Sequence, residues 1–132
     1  MSFSLSAIAP WALRIIAALI MLQTLYFKFS GSEESVYIFS QLGMEPWGRI
    51  ATGLLELIAS ILILYPKTTF FGSVLAIGLM MGAIGAHVTK LGIEVKNDSG
   101  QLFIYALLVL LSSLSLVIIY RNDGINFIKR IL

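Results

Sequence analysis

One carboxylate in this sequence lies where a charged group is least expected. Glu56 follows Leu54 and Leu55 and precedes an uninterrupted, largely apolar run, LIASILIL. A carboxylate in such a segment must become neutral, pair with a cation or bind a ligand. Glu56 is therefore the leading candidate for a proton-exchanging or ligand-binding group.

Several basic or polar side chains could pair with the Glu56 carboxylate. The candidates for a buried polar core or ligand site, besides Glu56, are Arg14, Lys28, Arg49, His87 and Gln101. His87 is the only histidine, so a multi-histidine metal site is excluded and we expect no bound metal. Imidazole is the side chain whose charge changes most readily near neutral pH, which would suit proton exchange.

The composition shows which elements must position these residues. Of 132 residues, 58% are hydrophobic and 12% are charged, against roughly 45–50% and 25% in soluble domains. Four apolar segments have the length of a membrane span, about 17–25 residues. They cover residues 11–29, 48–65, 70–88 and 102–120, and residues 33–42 form a shorter, interfacial helix. We therefore predict an all-α integral membrane protein, a four-helix up-down bundle forming a single transmembrane domain over residues 1–132.

This topology predicts where the polar residues meet. Glu56 lies about 12 Å along its helix at 1.5 Å per residue, close to the bilayer midplane. Lys28, Arg49, His87 and Gln101 all fall in one leaflet of an up-down bundle. A polar chamber among the helices is one interpretation, and a structural ion pair of Glu56 with a neighbouring cation is equally open.

The other candidate residues also have structural interpretations that involve no ligand. An ordinary hydrogen-bonded interior histidine is the favoured interpretation of His87, and Arg14 and Lys28 could extend to lipid headgroups. Glycines on one face of the third span favour close helix packing. These glycines are Gly78, Gly82 and Gly85.

Charge and cysteine content exclude several functions. The sequence has no cysteine, which rules out thiol chemistry and iron–sulfur ligation by this chain. The net charge of +2 has no basic cluster suited to nucleic acid. The first apolar segment is interpreted as a retained span, and the distribution of Lys and Arg, five against four, favours cytoplasmic termini. We expect a multi-pass protein of the bacterial inner membrane.

The order of these features resembles the DoxX family of small four-helix bacterial membrane proteins. The resemblance covers nearly the whole chain. Its elements are an early arginine (Arg14), Phe27-Lys28, a short helix with Gly43 and Pro46, Leu54-Leu55-Glu56, and the run Gly82, Ala83, Ala86, His87. It implies that Arg14, Lys28, Glu56 and His87 form a shared polar core, and it implies links to quinone-dependent and oxidative-stress membrane redox systems.

Three functions compete. The first is an accessory subunit of a membrane redox system that binds a quinone or lipid non-covalently, with membrane or peripheral redox proteins as partners. The second is a non-catalytic assembly or scaffold protein. The third is a proton-coupled small-molecule exporter that acts as a homo-oligomer, a dimer. We do not expect the chain to be an enzyme on its own.

Overall fold

The computed structural model describes residues 5–96 and 98–132, with side chains from residue 8 onward, and these ranges contain helices but no strand. The helices are α1 (Leu5–Ser30), α2 (Glu33–Gln41), α3 (Trp47–Leu64), α4 (Thr69–Ala86), α5 (Gln101–Ile119) and α6 (Arg121–Ile131). A 3₁₀ turn, Pro66–Thr68, joins α3 to α4, and a π-helical turn, His87–Leu91, extends α4.

Four of these elements are long and apolar enough to cross a bilayer. They are Ile8–Ser30, Trp47–Leu64, Pro66–Leu91 and Gln101–Ile119. In the bundle, α1 packs against α3 and α5, and α4 packs against the same two helices from the other side. The predicted all-α membrane bundle is confirmed.

The interior of the bundle is built mainly from small and flexible side chains. Ala17, Ala59 and Ala76 are fully buried, together with Met21 and Val109. Small residues let helix backbones approach closely in a membrane, where lipid is as apolar as the core. The outward faces carry large apolar side chains that lipid would cover, such as Leu19, Leu54, Ile61, Leu111 and Ile118.

The short helix between the first two spans forms as expected. The Ser32 hydroxyl accepts a hydrogen bond from the Ser35 backbone N–H, which caps α2, and Glu33 and Glu34 occupy the first turn. Acidic residues there complement the helix dipole. Phe39 is buried and anchors the helix to the bundle. With nine residues, α2 is too short to cross a bilayer.

The C-terminal helix α6 was not predicted. It begins at Arg121 and lies against the start of α4, where Gly124 contacts the ring of Phe70. The rings of Phe71 and Phe127 meet edge to face, with centroids 5.0 Å apart. Its eleven residues are amphipathic, as expected of a helix that lies along the interface.

The glycines of α4 differ from the expectation of close packing. A Cβ atom placed on Gly78, Gly82 or Gly85 would meet no atom within 4 Å. These glycines therefore do not form a close helix contact within the described chain. The close contact is made instead by Gly72, where a Cβ would lie 2.7 Å from the backbone N of Ile63 and 2.8 Å from the backbone O of Ala59.

Candidate functional site

Glu56 is paired with a cation from the neighbouring helix. The Nζ of Lys28 lies 3.0 Å from Oε1 of Glu56, and the hydroxyl of Thr24 donates to Oε2 at 3.1 Å. Glu56 is 3% exposed, and the side chain of Lys28 is 16% exposed. Both carboxylate oxygens therefore have a partner from α1, as an acid within a membrane span requires.

Helix geometry explains this arrangement. Thr24 and Lys28 are four residues apart on α1, so they share the face that packs against α3. The lysine stem is long enough to carry its ammonium group from the end of α1 toward the middle of α3. The pair thus crosslinks two spans from within the bundle.

Arg49 does not belong to the group around Glu56. Its guanidinium Nη2 lies 2.9 Å from a carboxylate oxygen of Glu45, and its Nε donates to both oxygens of that carboxylate. It also donates to the backbone O of Lys28. Arg49 therefore fastens the start of α3 to the end of α1. The spacing of four between Glu45 and Arg49 was the signal in the sequence for this pair.

Arg14 forms a second buried polar centre at the opposite end of the bundle. It is 1% exposed, and it donates from Nε to the backbone O of Ile63 at 2.8 Å and from Nη2 to that of Leu64. The guanidinium carbon lies 3.7 Å from the centroid of the Trp11 ring. Arg14 thus satisfies the last carbonyls of α3, where a helix favours positive charge. Fourteen residues, or about 21 Å of helix, separate it from Lys28.

His87 lies at the junction of α4 and the π-helical turn. Its Nδ1 is 2.9 Å from the backbone O of Gly92, and its ring meets Phe103 edge to face at 5.6 Å. Because a carbonyl only accepts, Nδ1 donates in this contact, which leaves Nε2 for another partner. His87 is buried but separate from the Lys28–Glu56 pair in its hydrogen bonding.

Gln101 is exposed at the start of α5. Its side-chain amide donates to the hydroxyl of Tyr105 at 2.7 Å, one turn further along the helix. It has no hydrogen bond to Glu56, and it contributes to the polar wall of the cavity described next.

A cavity of about 710 Å³ lies between the helices and reaches the middle of the bundle. Its walls are mainly apolar, and its polar side chains include Thr24, Lys28, Glu56, His87, Gln101 and Tyr105. Gly78 and Gly82, which have no close neighbours, leave open space along the α4 side. Pockets for small molecules measure about 300–1,000 Å³ and combine apolar walls with a few polar groups. The cavity has both properties.

One carboxylate of α2 lines this cavity, and a second, from the loop before α5, lies near it. Burial raises the pKa of Glu34, a lining residue, and the nearby carboxylate of Asp98 raises it further. Burial also acts to raise the pKa of Asp98, but the backbone N–H groups of Val95, Leu102 and Gly100 outweigh it and hold that pKa below its ordinary value. The pKa values of the two carboxyl groups are thus shifted in opposite directions, and Asp98 organises the start of α5.

Two polar residues of the structure were not identified from the sequence. They are Glu34, which lines the cavity, and Ser113 in the buried part of α5. The Oγ of Ser113 is fully buried and has no hydrogen-bond partner within the described residues. Single polar residues of this kind leave no periodic signal. Among residues 5–96 and 98–132, no three acidic, cysteine or histidine side chains are grouped so as to hold a metal ion.

Comparison with known proteins gives one match. No curated protein and no solved structure shows significant similarity to the chain. A family model described as the DoxX-like family matches residues 12–115, which include all four spans in whole or in large part. The apolar helices and this match identify a multi-pass membrane protein, and the chain belongs to the DoxX-like family.

Proposed function

We propose that this protein binds a lipophilic ligand bearing carbonyl or hydroxyl oxygens, of the quinone class, and serves as an accessory subunit of a membrane redox system. The observation that carries the proposal is the cavity of about 710 Å³ with the Lys28–Glu56 pair in its wall. A cavity with mainly apolar walls and a few polar groups suits a ring with a hydrocarbon tail.

The polar groups of the cavity match the oxygens of such a ligand. Lys28 can donate a hydrogen bond to a quinone carbonyl, and Nε2 of His87 can accept one from a quinol hydroxyl. Thr24 offers a hydroxyl beside the pair. Redox chemistry would belong to the ligand and to partner proteins, because the chain has no cysteine to carry electrons.

The test uses two leucine substitutions in α4. Gly82→Leu places a side chain in the cavity, whereas Gly85→Leu enters open space outside the lining. Binding of a short-chain ubiquinone analogue to purified protein should weaken at least about tenfold, 1.4 kcal/mol, in Gly82→Leu only. A wild-type protein that does not bind the analogue, or equal loss in both variants, contradicts the proposal.

A second candidate is a non-catalytic assembly protein. The observation that favours it is the internal pairing of the polar core, since Glu56 and Arg14 are already satisfied by the chain itself. In that case Glu56→Gln lowers stability and partner recovery, while quinone-linked turnover in membranes stays unchanged. Crosslinking in native membranes, followed by purification, would recover a protein partner under this candidate and none if the chain works alone.

The charge distribution supports termini on the cytoplasmic side of a bacterial inner membrane. The end that bears the C-terminus carries the exposed cations Lys67, Arg121, Lys129 and Arg130. At the other end, Lys28 and Arg49 are held in ion pairs, which leaves two exposed cations there, Lys90 and Lys96, against four. Because the chain lacks cysteine, Glu94→Cys and Asn122→Cys give clean labels. An impermeant maleimide should label the first in intact spheroplasts and the second only after lysis, and the reverse pattern contradicts this orientation.

A further inference from the structure

A second cavity, of about 450 Å³, lies at the opposite end of the bundle from the Lys28–Glu56 pair. It separates the turn after α3 from α6. Its lining residues are Pro66, Lys67, Phe71, Asp123, Asn126, Phe127 and Arg130. We propose that this cleft binds the headgroup of an anionic glycerophospholipid of the surrounding membrane.

The placement of the cations is the first argument. Lys67 projects from the 3₁₀ turn and Arg130 from the last turn of α6, so two positive side chains from different elements border one cleft. Neither has an acidic partner within 4 Å in the described chain. A phosphodiester between them would be paired on two sides, and arginine suits its oxygens particularly well.

The remaining lining residues fit the other parts of such a lipid. Asn126 supplies an amide donor, and Asp123 can accept hydrogen bonds from the hydroxyls of a glycerol headgroup. The edge-to-face rings of Phe71 and Phe127 give the cleft an apolar wall against which an acyl chain can lie. Phosphatidylglycerol combines all three features.

The shape of α6 places this cleft at the level of the headgroups. Asp123, Asn126, Phe127 and Arg130 follow the spacing i, i+3, i+4, i+7 and so share one helix face. Ile125, Ile128 and Ile131 are exposed on an adjoining face. A short amphipathic helix of this kind lies in the membrane interface with its apolar side toward the acyl chains. This inference is independent of ligand binding in the larger cavity.

The experiment compares two double variants with the same change in charge. Lys67→Gln/Arg130→Gln removes the cleft cations. Arg121→Gln/Lys129→Gln removes two exposed cations of α6 that do not line the cleft. Each purified protein is exchanged into nanodiscs containing equal amounts of phosphatidylglycerol and phosphatidylcholine, and the retained lipids are counted by native mass spectrometry.

Wild-type protein should retain phosphatidylglycerol over phosphatidylcholine. The cleft variant should lose about 30-fold of that preference, or about 2 kcal/mol, because both charge-assisted contacts with the bound phosphodiester are removed. The control variant should lose about fivefold or less, because Arg121 and Lys129 lie outside the cleft and solvent screens their charge. A roughly tenfold molar excess of inorganic phosphate over lipid should not displace the retained lipid, because the site also holds the acyl chain. Equal losses in the two variants, displacement by phosphate, or no preference in the wild type would overturn the proposal. Single variants Lys67→Gln and Arg130→Gln provide the same comparison if the double variant is unstable.

Discussion

The Nζ of Lys28 and Oε1 of Glu56 lie 3.0 Å apart and join the last turn of α1 to the middle of α3. The side chains of Lys28 and Glu56 are 16% and 4% exposed, so water hydrates the remaining charge only in part when its partner is removed. Breaking a buried ion pair by deleting one partner costs more than replacing both, because the remaining charge is left without compensation.

Lys28→Met should therefore destabilise the protein by about 3 kcal/mol, the lower part of the range for buried pairs, since the lysine keeps some exposure. The double variant Lys28→Met/Glu56→Leu should recover most of that loss. Unfolding of the wild type, both single variants and the double variant in detergent, followed by circular dichroism, gives the coupling energy. Strict additivity of the two single changes would show that the pair does not stabilise the bundle.

The sequence predicts the spans and the depth of Glu56 but not which cation pairs with it. The apolar segments identified the four spans, and the depth of Glu56 made an ion pair with a neighbouring cation one of the open alternatives, which Lys28 supplies. The choice between Lys28 and Arg49 could not be made, because it depends on side-chain direction and on Glu45 taking up the arginine. Arg14 is basic like Lys28 and lies on the same side of α1. The length of α1, however, places Arg14 in the other half of the bundle.

The C-terminal helix shows a different limit. Its apolar residues Ile125, Ile128 and Ile131 recur at helical spacing, so the signal was present but weak, since eleven residues fall well short of a membrane span. The cavity could not be predicted, because it arises from how four helices diverge. Gly78 and Gly82 have the spacing of packing glycines, but open space lies beside them in the structure.

The pKa of Glu34 predicts a pH dependence of stability. Burial and the neighbouring Asp98 carboxylate raise that pKa above its ordinary value. The folded state therefore binds the Glu34 proton more tightly than the unfolded state, so stability is complete below the ordinary pKa and falls as the pH rises toward the folded pKa. Glu34→Gln should remove this loss.

The matched control is Glu33→Gln, which changes a neighbouring exposed acid of the same helix. Melting temperatures are measured from about pH 4 to about pH 8, an interval that begins in the range where carboxyl groups titrate. Those of the wild type and Glu33→Gln should decline together over the low part of this interval. The melting temperature of Glu34→Gln should depend less on pH. Parallel curves for all three proteins would contradict the assignment.

Asp98 should produce the opposite dependence. Its carboxylate accepts hydrogen bonds from three backbone N–H groups, those of Val95, Gly100 and Leu102, and its pKa is lowered in the folded state. Its contribution is present above the ordinary aspartate pKa and is lost as the pH falls through the lowered folded value. Asp98→Ala should cost about 1–2 kcal/mol at neutral pH, as loss of a helix cap does.

The measurement is the unfolding free energy of Asp98→Ala relative to wild type at pH 7 and at about pH 3, below the ordinary aspartate pKa. The difference between the two proteins should shrink at the acidic value, because below the ordinary aspartate pKa the unfolded state takes up a proton that the folded carboxylate binds less tightly. A difference that is independent of pH would assign the effect to lost packing instead of to the charged cap.

Two glycines of α4 give a direct test of where the helices meet. A Cβ on Gly72 would lie 2.7 Å from the backbone N of Ile63, and backbone cannot move aside as a side chain can. Gly72→Ala should therefore push α3 and α4 apart and cost about 1–3 kcal/mol, as overpacking does. Gly78→Ala enters open space and should be neutral or stabilise the helix by up to about 1 kcal/mol. The measurement is the melting temperature of each variant in the same detergent. A decrease in Gly78→Ala as large as that in Gly72→Ala would mean that the face of α4 toward the cavity is packed against a second chain or a bound molecule.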